Sequence, residues 1–202
     1  MKEVDRWFRD GGNERYRYTY DLDHDSMVFD VGGYMGNWSE KIFNKYQPTI
    51  YIFEPVKKYY ELINSKFLTN DKVKVFNFGL SNKTQILDIK LSNDGSSVHI
   101  KNGDVETIKL KNIIDFLNEN NIVSINLLKL NVEGEEYNIM DKIIESGFTE
   151  NINDYQIQYH DFIEDCEKRR DEIREKIKNT HKETYCYKFV WENWRKKIKN
   201  EL

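Results

Sequence analysis

An α/β chain, with a mostly parallel central sheet and helices on both faces, is the fold class this sequence predicts. Three observations lead there. Residues 28–54, VFDVGGYMGNWSEKIFNKYQPTIYIFE, run strand, glycine turn, helix, strand, acid, which is the layout of a nucleotide-binding βαβ unit. Short apolar runs then alternate with helix-period segments to the end of the chain. At 202 residues the chain is one domain, long enough for a proper core and without repeats or linkers.

In order, residues 1–25 form an N-terminal arm in which RYTYDL (17–22) alternates aromatic and polar residues, as an edge strand or hairpin arm would. The first strand ends at Asp30, and the helix after Gly36 places Trp38, Ile42 and Tyr46 on one face. A second strand ends at Glu54. Pro55 opens the next helix, which buries Tyr59, Leu62, Ile63 and Phe67. Val73–Phe78 makes a third strand that stops near Gly79. QILDIKL (85–91) and the turn Asn93-Asp94-Gly95 mark a β insertion over residues 82–108. A short helix over 112–120 leads to a fourth strand, NLLKLNV (126–132), and to a helix carrying Tyr137, Met140, Ile143 and Ile144 up to Gly147. YQIQYH (155–160) is the fifth strand, and Ile163, Cys166, Arg170, Ile173 and Ile177 mark a long helix whose outer face is charged. TYCYKFVWENW (184–194) closes the chain without an evident full seventh strand, so a shortened C-terminal edge is expected.

Composition excludes several roles. Net charge is −4, which argues against nucleic acid as a partner, because such binding depends on a basic face that neutralises phosphates. No apolar run approaches the ~18 residues needed to span a membrane. The N-terminus lacks a signal-like hydrophobic segment, and the two cysteines, Cys166 and Cys186, form no metal spacing; a cytoplasmic protein with reduced thiols is expected.

The glycine turn points to a cofactor. Glycines let the backbone pass close under a ligand, the helix that follows offers free N–H groups, and Glu54 sits where a ribose diol would donate two hydrogen bonds. These features predict an adenosine-containing cofactor. A dinucleotide fingerprint would need a glycine at Val31; the pattern here is Asp30-x-Gly32-Gly33-x-x-Gly36. A carboxylate at the strand tip repels a pyrophosphate but suits an ammonium or a sulfonium, so S-adenosylmethionine fits better than NAD.

The ordered set DVGGYMGNWS, IFEP, GSS (95–97), LLKLNVEGEEY and IQYH…FVWENW, spread over Arg15 to Trp194, resembles the FkbM family of S-adenosylmethionine-dependent methyltransferases. The resemblance implies a Rossmann-like class I methyltransferase fold and methyl transfer to hydroxyl oxygens, often of sugars or glycosylated products. One departure is visible: Asn131 stands where the family commonly has Asp in K-[IL]-D-V-E-G.

The resemblance also implies roles. Gly32, Gly33 and Gly36 would cradle the methionine part of the cofactor, with Asp30 near its ammonium and Glu54 on the ribose. Asn77, Phe78 and Gly79 would lie along the adenine, Asn77 by hydrogen bonding and Phe78 by stacking. The reacting centre is expected at the carboxyl ends of the fourth and fifth strands, where Asn131, Glu133 and His160 meet. His160 is the expected base for the acceptor hydroxyl, with Glu133 orienting it or binding substrate. Metal assistance through Asn131, His160 and Asp161 is an alternative to that base. Ser96, Ser97 and His99 could form a polar lid over a sugar, and Tyr16, Tyr18, Tyr20, Trp191 and Trp194 could offer stacking surfaces. The expected acceptor is a saccharide or glycoconjugate. Two other functions stay open: a silent cofactor-binding module of a larger glycan-modifying assembly, and an NAD-dependent oxidoreductase.

Overall fold

The computed structural model describes residues 1–91, 96–97 and 105–198. Its centre is a seven-stranded sheet of β1 (Met27–Val31), β2 (Thr49–Phe53), β3 (Val73–Phe76), β8 (Ile125–Leu130), β9 (Ile152–Ile157), β10 (His181–Tyr187) and β11 (Trp191–Lys196). The spatial order is β10-β11-β9-β8-β1-β2-β3. From β3 to β9 the neighbours are parallel, while β11 runs antiparallel to both β9 and β10. A smaller sheet, β4-β7-β5-β6, is built from β4 (Gly79–Ser81), β5 (Gln85–Leu91), β6 (Ser96–Ser97) and β7 (Val105–Asn112).

Both faces of the sheet's central strands, β1, β2 and β8, are covered, which explains why they read as nearly continuous apolar runs. Successive residues point to opposite faces. Val28, Ile50, Ile52 and Leu127 pack under α3 (Asn37–Tyr46) and α4 (Lys57–Lys66), against Trp38, Ile42, Ile63 and Phe67. Phe29, Val31, Phe53, Leu128 and Leu130 pack on the other face against α5 (Ile113–Glu119), α6 (Glu136–Glu145) and α7 (Cys166–Ile177), through Phe116, Tyr137, Met140 and Ile173. This is the Rossmann-like methyltransferase architecture that the sequence predicts.

Four local expectations are corrected. The N-terminal region is not a strand: α1 (Glu3–Arg9) and α2 (Gly12–Arg15) precede an irregular stretch. There the carbonyls of Arg17 and Tyr18 accept side-chain hydrogen bonds from Trp38 and Tyr46, and Tyr16 stacks on Tyr185, so the alternating pattern serves side-chain docking. Pro55 lies outside α4, which begins at Lys57 after the N-cap Val56, and Leu62 of that helix is exposed because it is turned away from Ile63. The fifth strand stops at Ile157, so His160 stands on the loop beyond it. A seventh strand is present after all. β10 and β11 form a hairpin whose turn contains Phe189 at φ 58° and no glycine or proline, which hid it from a reading that depends on turn residues. The expected turn at 93–95 and His99 lie outside the described residues, as do the side chains of Ser96 and Ser97.

Candidate active site

The loop from β1 to α3 presses against two neighbouring strands. Gly32 has φ +86°, and a Cβ there would sit 1.9 Å from the Asn131 carbonyl oxygen, so only glycine fits. A Cβ at Gly33 would lie 2.4 Å from Ile52 Cγ2. The protein itself therefore demands both glycines, whatever lies above the loop. Gly36 caps α3, and the first-turn N–H groups of that helix have no intrahelical acceptor.

Beneath the loop, Asp30 is fully buried. Its Oδ1 accepts from Lys129 Nζ at 2.8 Å and its Oδ2 from Ser39 Oγ at 2.6 Å. Lys129 also donates to the Gly32 carbonyl at 2.6 Å. The expected partner of Asp30 was a ligand ammonium; the ammonium it holds belongs to Lys129. Sequence reasoning missed this lysine, although a charge inside the apolar run LLKL, on the strand beside Asp30, was a usable signal.

Glu54 follows β2 and is 5% exposed. Its Oε2 accepts from the Tyr34 amide at 2.8 Å and its Oε1 from the Val56 amide at 2.9 Å. Burial pushes its carboxyl up to about 7, with the two amides and Lys129 working in the opposite direction. Four lone-pair sites serve these two bonds, so acceptor capacity is left for a diol. Tyr34 takes up a left-handed conformation, φ 51°, to deliver its amide, and its ring contacts Tyr59 with centroids 4.6 Å apart. Asn77 Nδ2 donates to the carbonyls of Glu54 and Pro55 at 3.2 and 3.1 Å. Phe78 is half-buried within the cluster of Phe53, Phe76 and Phe116. Gly79 begins β4, where a Cβ would lie 2.7 Å from Leu110 Cδ2.

The second half of the site gathers at the ends of β8 and β9. Glu136 is fully buried at the start of α6; its Oε1 accepts from the Val132 amide at 2.6 Å and its Oε2 from the Gly134 amide at 2.9 Å. The same Oε1 lies 2.9 Å from His160 Nδ1. Glu133, with φ 54°, brings Oε1 to 3.5 Å from His160 Nε2. The Tyr137 hydroxyl donates to the His160 carbonyl at 2.7 Å and fixes the loop. Burial works against the imidazolium, but the Glu136 hydrogen bond and the charges of Glu136, Glu133 and Asp161 outweigh it, so the His160 pKa is raised. Burial also raises Glu133, with His160 opposing and Glu136 reinforcing. Glu136, absent from the sequence-based set, stands one residue from the Glu135 of the motif EGEEY and is the residue that anchors the turn. Asn131 lies between the two halves: its backbone N–H donates to the Val31 carbonyl at 3.1 Å, and its Oδ1 is buried without a hydrogen-bond partner.

Other candidates lie elsewhere. Trp191 and Trp194 are buried, and Tyr20 is buried against Gln156. Burial pushes His181 down to about 4, with its Nε2 on the Ile152 carbonyl at the opposite end of β9. Among the described residues, no three His, Cys, Asp or Glu side chains are grouped to hold a metal ion. No described helix is long and apolar enough to cross a membrane.

Comparisons with known proteins agree with this architecture. A protein of Clostridium thermocellum assigned as an rRNA-methylase superposes with a TM-score of 0.59 at 10% identity, covering 98% of this chain and 97% of its own. An rRNA methylase from Streptococcus thermophilus gives 0.51 at 11% identity, covering 88% and 90%. The Methanococcus jannaschii fibrillarin pre-rRNA processing protein gives 0.51 at 10% identity, covering 90% and 70%. Likeness at such identity speaks for the fold alone. No curated protein matches the chain. The methyltransferase FkbM domain matches residues 30–185, a span that holds the glycine loop, Glu54, the LNVEGEEY motif and His160 but ends before FVWENW. The chain belongs to the FkbM family of S-adenosylmethionine-dependent methyltransferases.

Proposed function

We propose that this chain transfers the methyl group of S-adenosylmethionine to a hydroxyl oxygen of a saccharide or glycoconjugate, with His160 as the base. The observation that carries the reading is His160 fastened through Nδ1 to the fully buried Glu136, at the carboxyl edge of the sheet beside Asn131. An imidazole held through one nitrogen by a buried carboxylate is the arrangement used to remove a proton from a weakly acidic hydroxyl.

The residues present fit the cofactor. Two features support its placement: an orphaned buried acceptor, Asn131 Oδ1, next to Gly32, and spare acceptor capacity on Glu54. In this reading Asn131 accepts from the amino-acid ammonium, and Glu54 accepts from the ribose hydroxyls. The loop of Gly32, Gly33 and Gly36 supports the methionine part, and Asp30 acts from below, through Lys129 and the Gly32 carbonyl. Asn77 and Phe78 border the adenine. When bound, S-adenosylmethionine supplies an electrophilic methyl group on a positive sulfur.

His160 does the remaining chemistry. With Nδ1–H donating to Glu136, Nε2, which faces Glu133 at 3.5 Å, takes the acceptor proton as the oxygen attacks, and Glu133 and Glu136 then flank the resulting imidazolium. Methyl transfer needs in-line approach, so much of the acceleration comes from holding the acceptor. An asparagine at 131 is compatible with this route, because the base is His160 and not residue 131. NAD chemistry is set aside by the family assignment.

The reading is tested by titrating the chain with S-adenosylmethionine and then following transfer of labelled methyl to a panel of sugars. Expected are micromolar binding that is lost in Glu54→Ala, and turnover that is lost in His160→Ala with binding intact. Turnover that survives His160→Ala would overturn the assigned base.

A further inference from the structure

Two cations that share the Tyr18 ring form no ion pair among the described residues. After α2 the chain runs along α3: Trp38 Nε1 donates to the Arg17 carbonyl at 3.3 Å, and Lys45 Nζ and the Tyr46 hydroxyl donate to the Tyr18 carbonyl at 2.9 and 3.0 Å. Gln156, next to the last residue of β9, donates to the same Arg17 carbonyl at 3.2 Å. Arg17 is thereby set at the carboxyl edge of the sheet, between the start of α3 and the strand that leads to His160.

Its guanidinium lies 4.5 Å from the centroid of Trp191 and 5.7 Å from that of Tyr18. Its Nε is buried without a hydrogen-bond partner, and among the described residues Arg17 forms no ion pair. Lys41, exposed on α3, holds its ammonium 4.8 Å from the same Tyr18 ring and likewise forms no ion pair among the described residues. Acids outnumber bases in this chain, 35 to 31, so carboxylates were available to neutralise both cations. Most of the other buried or half-buried cations have them: Lys129 has Asp30, and Arg170 and Arg174 share Glu192.

A guanidinium held against an aromatic ring offers its N–H edge in a fixed fork that matches a carboxylate or phosphate. A nearby ammonium adds charge without geometry of its own. We propose that Arg17 and Lys41 form an anion subsite beside the acceptor cleft, so that the saccharide methylated at His160 carries a carboxylate or a phosphate. This rests on the saccharide reading above and narrows it. If Arg17 served only as packing for Trp191, the charge on Lys41 would not matter.

The test is an NMR titration of the full chain with glucose 1-phosphate, glucuronate and glucose, following the Arg17 Nε–H signal. At least one anionic sugar is expected to give a saturable shift, and glucose none; the stronger of the two identifies the group as phosphate or carboxylate. The dissociation constant is expected to rise about tenfold in Arg17→Gln and about threefold in Lys41→Gln. Lys41 is exposed, so its variant decides the matter even where Arg17→Gln does not fold. Equal responses to glucose and the anionic sugars, no response to any, or an unchanged affinity in Lys41→Gln would overturn the proposal. Anion binding without methyl transfer to any sugar would leave the subsite standing and remove the saccharide reading. Transfer to neutral sugars, indifferent to Lys41→Gln, would do the reverse.

Discussion

The two halves of the site treat buried charge in opposite ways. Under the glycine loop, Asp30 is matched by Lys129, and Glu54 is held by two backbone amides. Each group there is tied to the strand or loop beside it. At the ends of β8 and β9, three ionisable side chains face one another: Glu136, His160 and Glu133, with the last two shifted upward. In the proposed reading the first half holds a shape, and the second moves a proton. Four substitutions would break or sharpen that contrast.

The largest effect is expected from Gly32→Ala. Its Cβ would meet the Asn131 carbonyl at 1.9 Å in a left-handed residue, so the loss should exceed about 3 kcal/mol and abolish cofactor binding. Urea unfolding and calorimetry would check both. Lys129→Met comes next. It leaves Asp30 buried and unpaired, which costs about 3 kcal/mol or more, and Asp30→Asn in the same chain should restore most of it. Near-additive losses in that double-mutant cycle would mean the pair does not clamp the loop.

In the other half, Glu136→Gln should lower kcat by about 100-fold, with little change in cofactor affinity. Glu136 raises His160, so its loss should move the acid limb of the kcat/KM profile to lower pH; a limb that stays in place would dissociate the two residues.

The smallest effect concerns Glu54. Its folded pKa of about 7 lies above the ordinary 4.5. The stability this contributes is fully present below pH 4.5 and is lost as the pH rises to 7. Glu54→Gln should therefore gain about 2–3 kcal/mol relative to wild type between pH 4.5 and 7.5, read from unfolding curves at each pH. A difference that does not change with pH would show that the carboxyl titrates normally.

The two halves also differed in legibility. Strand, glycines, helix and acid lie in one continuous stretch, so the first half could be read directly from residues 28–54. What could not be read was which groups would be consumed internally: Asp30 and Lys129 are local neighbours only once β8 lies beside β1. In the second half, Glu133 and His160 were named from the sequence, and the structure brings them together. Glu136 was not, because its role depends on the turn that aims its carboxylate at His160. Arg17 sat in a pattern that read as a strand, and its environment is made by Trp38, Gln156 and Trp191 from three distant elements. The hairpin of β10 and β11 escaped because its turn lacks the usual markers.

The Asp30–Lys129 bond spans 99 residues of chain, and this bears on the order of assembly. The βαβ unit of β1, α3 and β2 can form from local contacts as the chain leaves the ribosome, well before β8 has been made. Until then Asp30 lacks its cation and the Gly32 carbonyl lacks its donor. Long-range parallel pairing is the slow step in folds of this kind. Competence to bind the cofactor should therefore arise late, with the docking of β8, and a nascent chain ending before residue 125 should not bind S-adenosylmethionine.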